Sequence, residues 1–302
     1  MTTTPSVQTL PQRVLGKTGE LVPVLGMGTG PTGMGMSDTA AIDLVEMGID
    51  RGVTYIDTAP GYERAQQQLG HILPRRRDEI FLVTKALTSN ASDAIEQLET
   101  SLRTLGTDAV DLCYVHSLGN QDVDQVLAED GALAGLREAQ RRGLTRYVGF
   151  TAHSKPASSE RILREVDIDV VMLALNFADH FTYGFDRTVL PVAVAQNTGV
   201  AAMKVFGGAL AMKYATTEAE SARPSALRAL DEDFDHEQAM RWSLGLTGVS
   251  LAVVGMYSAQ ELEQNIEWAR SWQPLTAAED AALLARGQDF AASWGPHYGD
   301  VA

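Results

Sequence analysis

Four residues stand where apolar runs give way to polar ones. Asp57 closes "TYID", Tyr62 follows it in "TAPGY", Lys85 closes "IFLVTK" and His116 closes "VDLCYVH". A phenol with a pKa of about 10 is a poor acid at neutral pH unless its anion is stabilised. A neighbouring ammonium supplies that stabilisation. Lys85, held by Asp57 and set beside Tyr62, would make the phenol a general acid for a developing alkoxide. His116 would hydrogen-bond the same oxygen and orient the carbonyl. This is the chemistry of carbonyl reduction, or of alcohol oxidation in reverse, with hydride from a cofactor. The lysine is informative because the chain has only five, Lys17, Lys85, Lys155, Lys204 and Lys213, and one of them ends an apolar strand. An unpaired charge there is unfavourable or changes its pKa, so a partner such as Asp57 is required. A structural ion pair would account for Asp57 and Lys85, but not for a tyrosine and a histidine at the same rim.

These residues meet only if their strands are neighbours. Eight short apolar runs, 23–28, 54–57, 80–85, 110–116, 146–151, 169–175, 200–206 and 250–256, alternate with amphipathic stretches. Continuous hydrophobicity marks strands buried on both faces, as in a parallel sheet. In "SDTAAIDLVEMGIDRG", Ser37 or Asp38 is a plausible N-cap and Gly52 a stop. "ASDAIEQLETSLRTLG" spaces Ile95, Leu98, Leu102 and Leu105 helically and ends at Gly106. Eight strand–helix units predict an α/β fold, a (β/α)8 TIM barrel. We expect a single domain over 1–302, with the barrel at 13–270 and a C-terminal helix and tail at 271–302. A leading hairpin is expected in "RVLGKTGELVPV". The connection after the seventh strand, 207–238, is long enough to be a lid over the barrel mouth or a plain surface excursion.

Composition narrows the partners. With 302 residues, 45% apolar and 21% charged, the chain reads as an ordinary globular protein. Its net charge of −15 opposes binding to nucleic acid or anionic membrane. The single Cys113 excludes a disulfide framework and fits a reducing compartment. "MTTTPSVQTLPQ" lacks the pattern of a secretory signal, and no apolar run reaches a membrane span, so a cytoplasmic protein is expected. The six histidines show no metal-ligand spacing, so no metal is expected. "GTGPTG" (28–33), followed by Asp57, imitates a Rossmann fingerprint. Pro31 and the further breakers after it argue against a helix opening inside those glycines.

With these motifs in hand, the sequence resembles the aldo-keto reductase family over nearly its whole length. The matching stretches run from "RVLGKTGELVPVLGMGTG" through "YIDTAPGY", "FLVTKA", "ETSLRTLGTDAVDLCYVHS" and "LREAQRRGLTRYVGF" to "VSLAVVGMYSAQELEQNI". The resemblance implies a nicotinamide-dependent TIM barrel without a Rossmann domain. It implies Asp57, Tyr62, Lys85 and His116 as catalytic residues, with Tyr62 the acid and Asp57 its anchor through Lys85.

The cofactor side departs from the common pattern. Thr151-Ala152-His153 stands where most members have a Ser-Asn pair. Met172 replaces the usual Gln, with Asn176 following, and Lys204 aligns with the Tyr that usually stacks on the ring. This resembles a side branch with "MK" and "G-x-T-x-H" variants, without a cluster-binding cysteine tail. The cofactor candidates are Gly28, Thr29, Asp57, Thr151, His153, Asn176 and Lys204. Gly255 and Glu261 align with the Lys and Arg that hold a 2′-phosphate in NADPH-preferring members, and Gln264 and Asn265 are the adenine candidates. Glu261 would repel a phosphate and accept hydrogen bonds from a ribose diol. The expected cofactor is therefore NAD(P)H, with NAD(H) slightly favoured.

The expected function is interconversion of a carbonyl (an aldehyde, ketone or sugar) and an alcohol. The alternative is a cofactor-retaining redox sensor or binding subunit with little turnover. A lyase or isomerase using Lys85 as a Schiff base is disfavoured, because Asp57 would keep it protonated. The substrate and the oligomeric state are open. The tail "WGPHYGDVA" could wall the pocket or be a loose terminus, and "RRR" (75–77) reads as solvated surface.

Overall fold

The structure, a computed structural model, describes residues 9–208 and 236–302. The long connection expected at 207–238 falls almost wholly outside the described residues. An antiparallel hairpin of β1 (Gln12–Val14) and β2 (Leu21–Pro23) precedes eight parallel strands. These are β3 (Leu25–Gly28), β4 (Tyr55–Asp57), β5 (Phe81–Ala86), β6 (Val110–Val115), β7 (Thr145–Ala152), β8 (Val170–Ala174), β9 (Gly199–Met203) and β10 (Val249–Gly255). They close into a barrel in chain order, β10 pairing with β3. The fold is the expected (β/α)8 barrel, and most strands lie within a residue or so of their apolar runs, although β3 starts two residues late and β9 ends three residues early.

Period-2 alternation decides which residues face inward. Tyr55, Val83, Leu112, Tyr114, Val170, Met172, Ala201, Met203, Leu251 and Val253 form one buried cluster inside the barrel. Two residues beyond Tyr55, Val83 and Tyr114 come Asp57, Lys85 and His116. The alternation that fills the core therefore also carries these three polar residues to its upper rim. Small residues offset large ones in the layers below. A Cβ on Gly26 would lie 2.9 Å from the Tyr55 ring, and one on Gly149 only 1.9 Å from the Val170 carbonyl and 2.9 Å from the Tyr114 ring. The two buried phenols satisfy each other, with their hydroxyls 3.2 Å apart.

The hairpin stoppers the lower end, where Leu15 and Val22 are fully buried against the barrel interior. The outer helices follow their sequence signals. Asp38–Asp50 is N-capped by Ser37, whose Oγ accepts from the Ala40 N–H. Ala91–Leu105 ends at Gly106 with φ 66°, the left-handed cap that glycine favours. The C-terminal helix Ala277–Trp294 opens with a Thr276–Glu279 capping box.

Two expectations are corrected. A short helix, Gly30–Gly35, does open inside "GTGPTG", because Pro31 falls in its first turn, where a missing N–H leaves nothing unsatisfied. The Rossmann reading fails for another reason: the strand feeds a closed barrel. The "RRR" segment is not simply solvated. Arg77 is half-buried, pairs with buried Asp111 at 2.9 Å and donates to the Ala109 and Ile80 carbonyls. No helix among the described residues is long and apolar enough to cross a membrane.

Candidate active site

The loop after β4 brings Tyr62 back over the barrel mouth. Its N–H donates to the Ala59 carbonyl at 3.0 Å, and its carbonyl accepts from the Ala65 N–H at 2.9 Å. The short helix Gly30–Gly35 packs directly on this loop. A Cβ on Gly33 would lie 2.0 Å from the Tyr62 carbonyl oxygen and 2.7 Å from Ala65. Only glycine permits that approach.

Lys85 is the hub. Its Nζ donates to Asp57 Oδ2 at 2.6 Å, to the Thr58 carbonyl at 2.9 Å and to the Tyr62 hydroxyl at 3.3 Å. Lys85 is 1% exposed and Asp57 3%, so their attraction is little screened by water. Burial raises the Asp57 carboxyl above its ordinary value, and the Lys85 ammonium is the main influence pulling it back. The His116 ring meets the Tyr62 ring edge-on, with centroids 6.2 Å apart. Burial, then Lys85 and Lys204, push its imidazole down to about 3, so it is neutral throughout the physiological range. Burial, Lys204, His116 and Lys85 likewise hold His153 well below its ordinary value.

A cleft opens beside this group, lined by Gly28, Gly30, Pro31, Asp57, Tyr62, His153, Met172, Lys204 and Gly255 among others. Of the sequence candidates, Gly28, Asp57, Tyr62, His153, Lys204 and Gly255 thus share one cavity. The others are placed differently. Thr29 is buried, with its Oγ1 donating to the Asp57 carbonyl at 3.0 Å. Thr151 is buried, and its Oγ1 accepts from the Ser117 N–H at 2.9 Å. The Asn176 amide is engaged within the protein: Nδ2 donates to Asp179 Oδ2 and the Lys204 carbonyl, and Oδ1 accepts from the Ala178 and Asp179 N–H groups.

Glu261 folds back on its own helix, Ala259–Arg270, where Oε2 accepts from the Tyr257 N–H at 2.9 Å. Gln264 is exposed. Asn265 is buried and donates to the Glu261 carbonyl, and its Oδ1 has no hydrogen-bond partner. At Gly255 a Cβ would lie 2.6 Å from Pro31, so no lysine fits there without displacing the proline. The sequence reading missed Met203, Phe206, Val253 and Tyr257 as cleft residues. Met203 and Val253 were findable, because each continues the inward alternation of its strand.

The aldo/keto reductase family profile matches residues 24–283. The chain belongs to the aldo/keto reductase family. It is accordingly an oxidoreductase that interconverts carbonyls and alcohols with a nicotinamide cofactor. It is 25% identical to pyridoxal 4-dehydrogenase of Microbacterium luteolum over 85% of this chain and 92% of that protein. It is 28% identical to D-threo-aldose 1-dehydrogenase of a Pseudomonas species over 64% and 68%. Among solved structures, an aldo-keto reductase of Pseudomonas aeruginosa superposes with a TM-score of 0.70 at 28% identity, covering 87% of this chain and 97% of that one. An aldo/keto reductase of Klebsiella pneumoniae, in complex with NADP and acetate, shares the fold with a TM-score of 0.68 at 21% identity, over 91% and 95%.

The residues present suit such a cofactor. Asp57 lines the cleft, and its Oδ1 is a buried acceptor without a hydrogen-bond partner, able to accept from a bound group. Gly28, Gly30 and Gly208 leave main chain bare on the cleft wall.

Proposed function

We propose that Tyr62 is the general acid of a carbonyl reductase, and the general base of the reverse alcohol oxidation. One observation carries this reading: the buried Lys85 ammonium reaches both Asp57 and the Tyr62 hydroxyl. The ammonium favours the phenolate over the phenol, so Tyr62 parts with its proton more readily as a carbonyl oxygen gains negative charge. Asp57 holds Lys85 aimed at Tyr62. His116, neutral, offers one N–H to the same oxygen and does not compete for the proton. A bound nicotinamide dinucleotide supplies or accepts the hydride. Gly28, Met172, Met203, Lys204 and Gly255 would wall it, with Asp57 as a polar acceptor.

The cofactor is NAD(P)H, with NAD(H) slightly favoured. Glu261 places negative charge at the start of Ala259–Arg270, where a 2′-phosphate would otherwise gain from the helix dipole, and Gly255 brings no amine. The NADP in the Klebsiella pneumoniae structure keeps NADPH open. The relatives named as pyridoxal and aldose dehydrogenases support a sugar or a cyclic hemiacetal of an aldehyde as substrate, and oxidation of its hydroxyl as the working direction. A redox sensor with little turnover is disfavoured, since binding alone has no need of a lysine bonded to the Tyr62 hydroxyl.

Tyr62→Phe tests the assignment. Turnover should fall by a factor on the order of 10² to 10⁴, while dinucleotide affinity stays near that of the unaltered protein. Retention of more than a tenth of the activity would sink the role given to Tyr62.

A further inference from the structure

The cleft wall contributed by Lys204, Val205, Phe206 and Gly208 is a turn with an uncommon backbone. Lys204 has φ 60°, Gly207 φ 75° and Gly208 φ 77°, all in the left-handed region. Glycine adopts that region freely, whereas a lysine there needs outside support.

The support comes from two directions. The Lys204 carbonyl accepts from the Gly207 N–H at 2.7 Å and from Asn176 Nδ2 at 3.1 Å. Asn176 is oriented by Asp179, whose Oδ2 accepts from it at 2.6 Å. The other oxygen of Asp179, Oδ1, accepts from His297 Nε2 at 3.0 Å. Separately, the Tyr298 hydroxyl donates to the Gly207 carbonyl at 2.9 Å. The Tyr298 N–H donates to the Tyr183 hydroxyl at 2.8 Å, which in turn donates to the Gly299 carbonyl at 3.0 Å. Tyr298 is buried, and a Cβ on Gly208 would lie 2.9 Å from its hydroxyl.

We infer that His297 and Tyr298 are positioning residues for the active site, holding the Lys204–Gly208 turn through two hydrogen-bonded paths, one by way of Asp179 and Asn176 and one directly onto Gly207. The C-terminal tail is thus part of the cleft's construction. It acts through the Lys204–Gly208 wall of the cleft rather than on a reacting atom. The binding half of the test rests on the nicotinamide reading above; the backbone half does not.

The first variant is Tyr298→Phe, which keeps the ring and removes only the hydroxyl. Hydrogen–deuterium exchange of the peptide covering Lys204–Gly208 should speed up by about tenfold, as expected when a supporting hydrogen bond is lost. The dissociation constants for NADH and NADPH should rise by about five- to tenfold, and the cofactor KM should rise more than kcat falls. A second pair works the other path. His297→Leu should reproduce both effects, and His297→Gln, which retains an N–H donor, should largely reverse them. Unchanged exchange in Tyr298→Phe and in His297→Leu would overturn the inference, as would equal behaviour of His297→Leu and His297→Gln. If the unaltered protein bound neither dinucleotide, the cofactor reading would fall, and exchange at the turn alone would decide the role of the tail.

Discussion

Replacing Lys85 by Met is the most demanding test of the buried hub. The methionine fills similar volume but removes the ammonium 2.6 Å from Asp57 and strips a donor from the Thr58 carbonyl. Breaking a buried pair by removing one partner typically costs about 3–5 kcal/mol. Here the loss has a ceiling, because Asp57 can escape by taking up a proton. Neutralising an ordinary carboxyl at pH 7 costs about 4 kcal/mol, so destabilisation should lie near 3–4 kcal/mol. That is a large share of the roughly 5–15 kcal/mol of a typical domain.

The pH dependence carries the signature. Burial already raises the Asp57 carboxyl in the unaltered protein and loss of its main counter-ion raises it further, so between those two folded values the variant's folded state holds one proton that the unaltered protein's does not. Its stability deficit should therefore shrink as pH falls, by about 1.4 kcal/mol per unit. The assay is urea unfolding of both proteins at pH 5, 6 and 7, with equal slopes required before midpoints are compared. Because Lys85 also depresses His116 and His153, the Asp57→Asn variant with and without Lys85→Met is run alongside to separate their titration from that of Asp57. Adding Asp57→Asn to the variant should recover most of the loss. A deficit below about 1 kcal/mol, or one that does not change with pH, would refute the account of Lys85 as the buried counter-ion of Asp57.

Gly33→Ala should push the Tyr62 loop off the barrel mouth, since its Cβ would lie 2.0 Å from the Tyr62 carbonyl; we expect about 1–3 kcal/mol lost and a fall in kcat beyond that of any exposed Gly→Ala variant, measured by steady-state turnover. Glu261→Arg should tighten NADPH relative to NADH by at least about tenfold, as a charge-assisted contact to phosphate would, with about 1 kcal/mol lost from the helix N-terminus; an unchanged ratio of the two dissociation constants counts against Glu261 as the discriminator. His116 and His153 titrate below their ordinary values, so the unfolded state binds more protons as pH drops through about 6.5. Stability should therefore decline from there toward about 3, and His116→Gln should flatten part of that decline in acid unfolding curves.

The amino-acid sequence alone determined the barrel and the polar residues at its rim, for a local reason. Each strand is a short apolar run between helix signals, and the alternation that buries Tyr55, Val83 and Tyr114 also aims Asp57, Lys85 and His116 at one end. Spacing along a strand survives folding, so residues read in this way were legible before any contact was known. The cofactor side depended on partners distant in the chain. Whether Asn176 or Thr151 presents its polar atoms to the cleft depends on Asp179, Lys204 and Ser117, and no periodicity encodes those bonds. The orientation of Glu261 was open in the same way until the Tyr257 N–H claimed it. The tail is the clearest case. "WGPHYGDVA" has no pattern that distinguishes a loose terminus from a wall, and only the tertiary structure, by bringing Asp179, Tyr183 and Gly207 within reach of His297 and Tyr298, decided that it is built in.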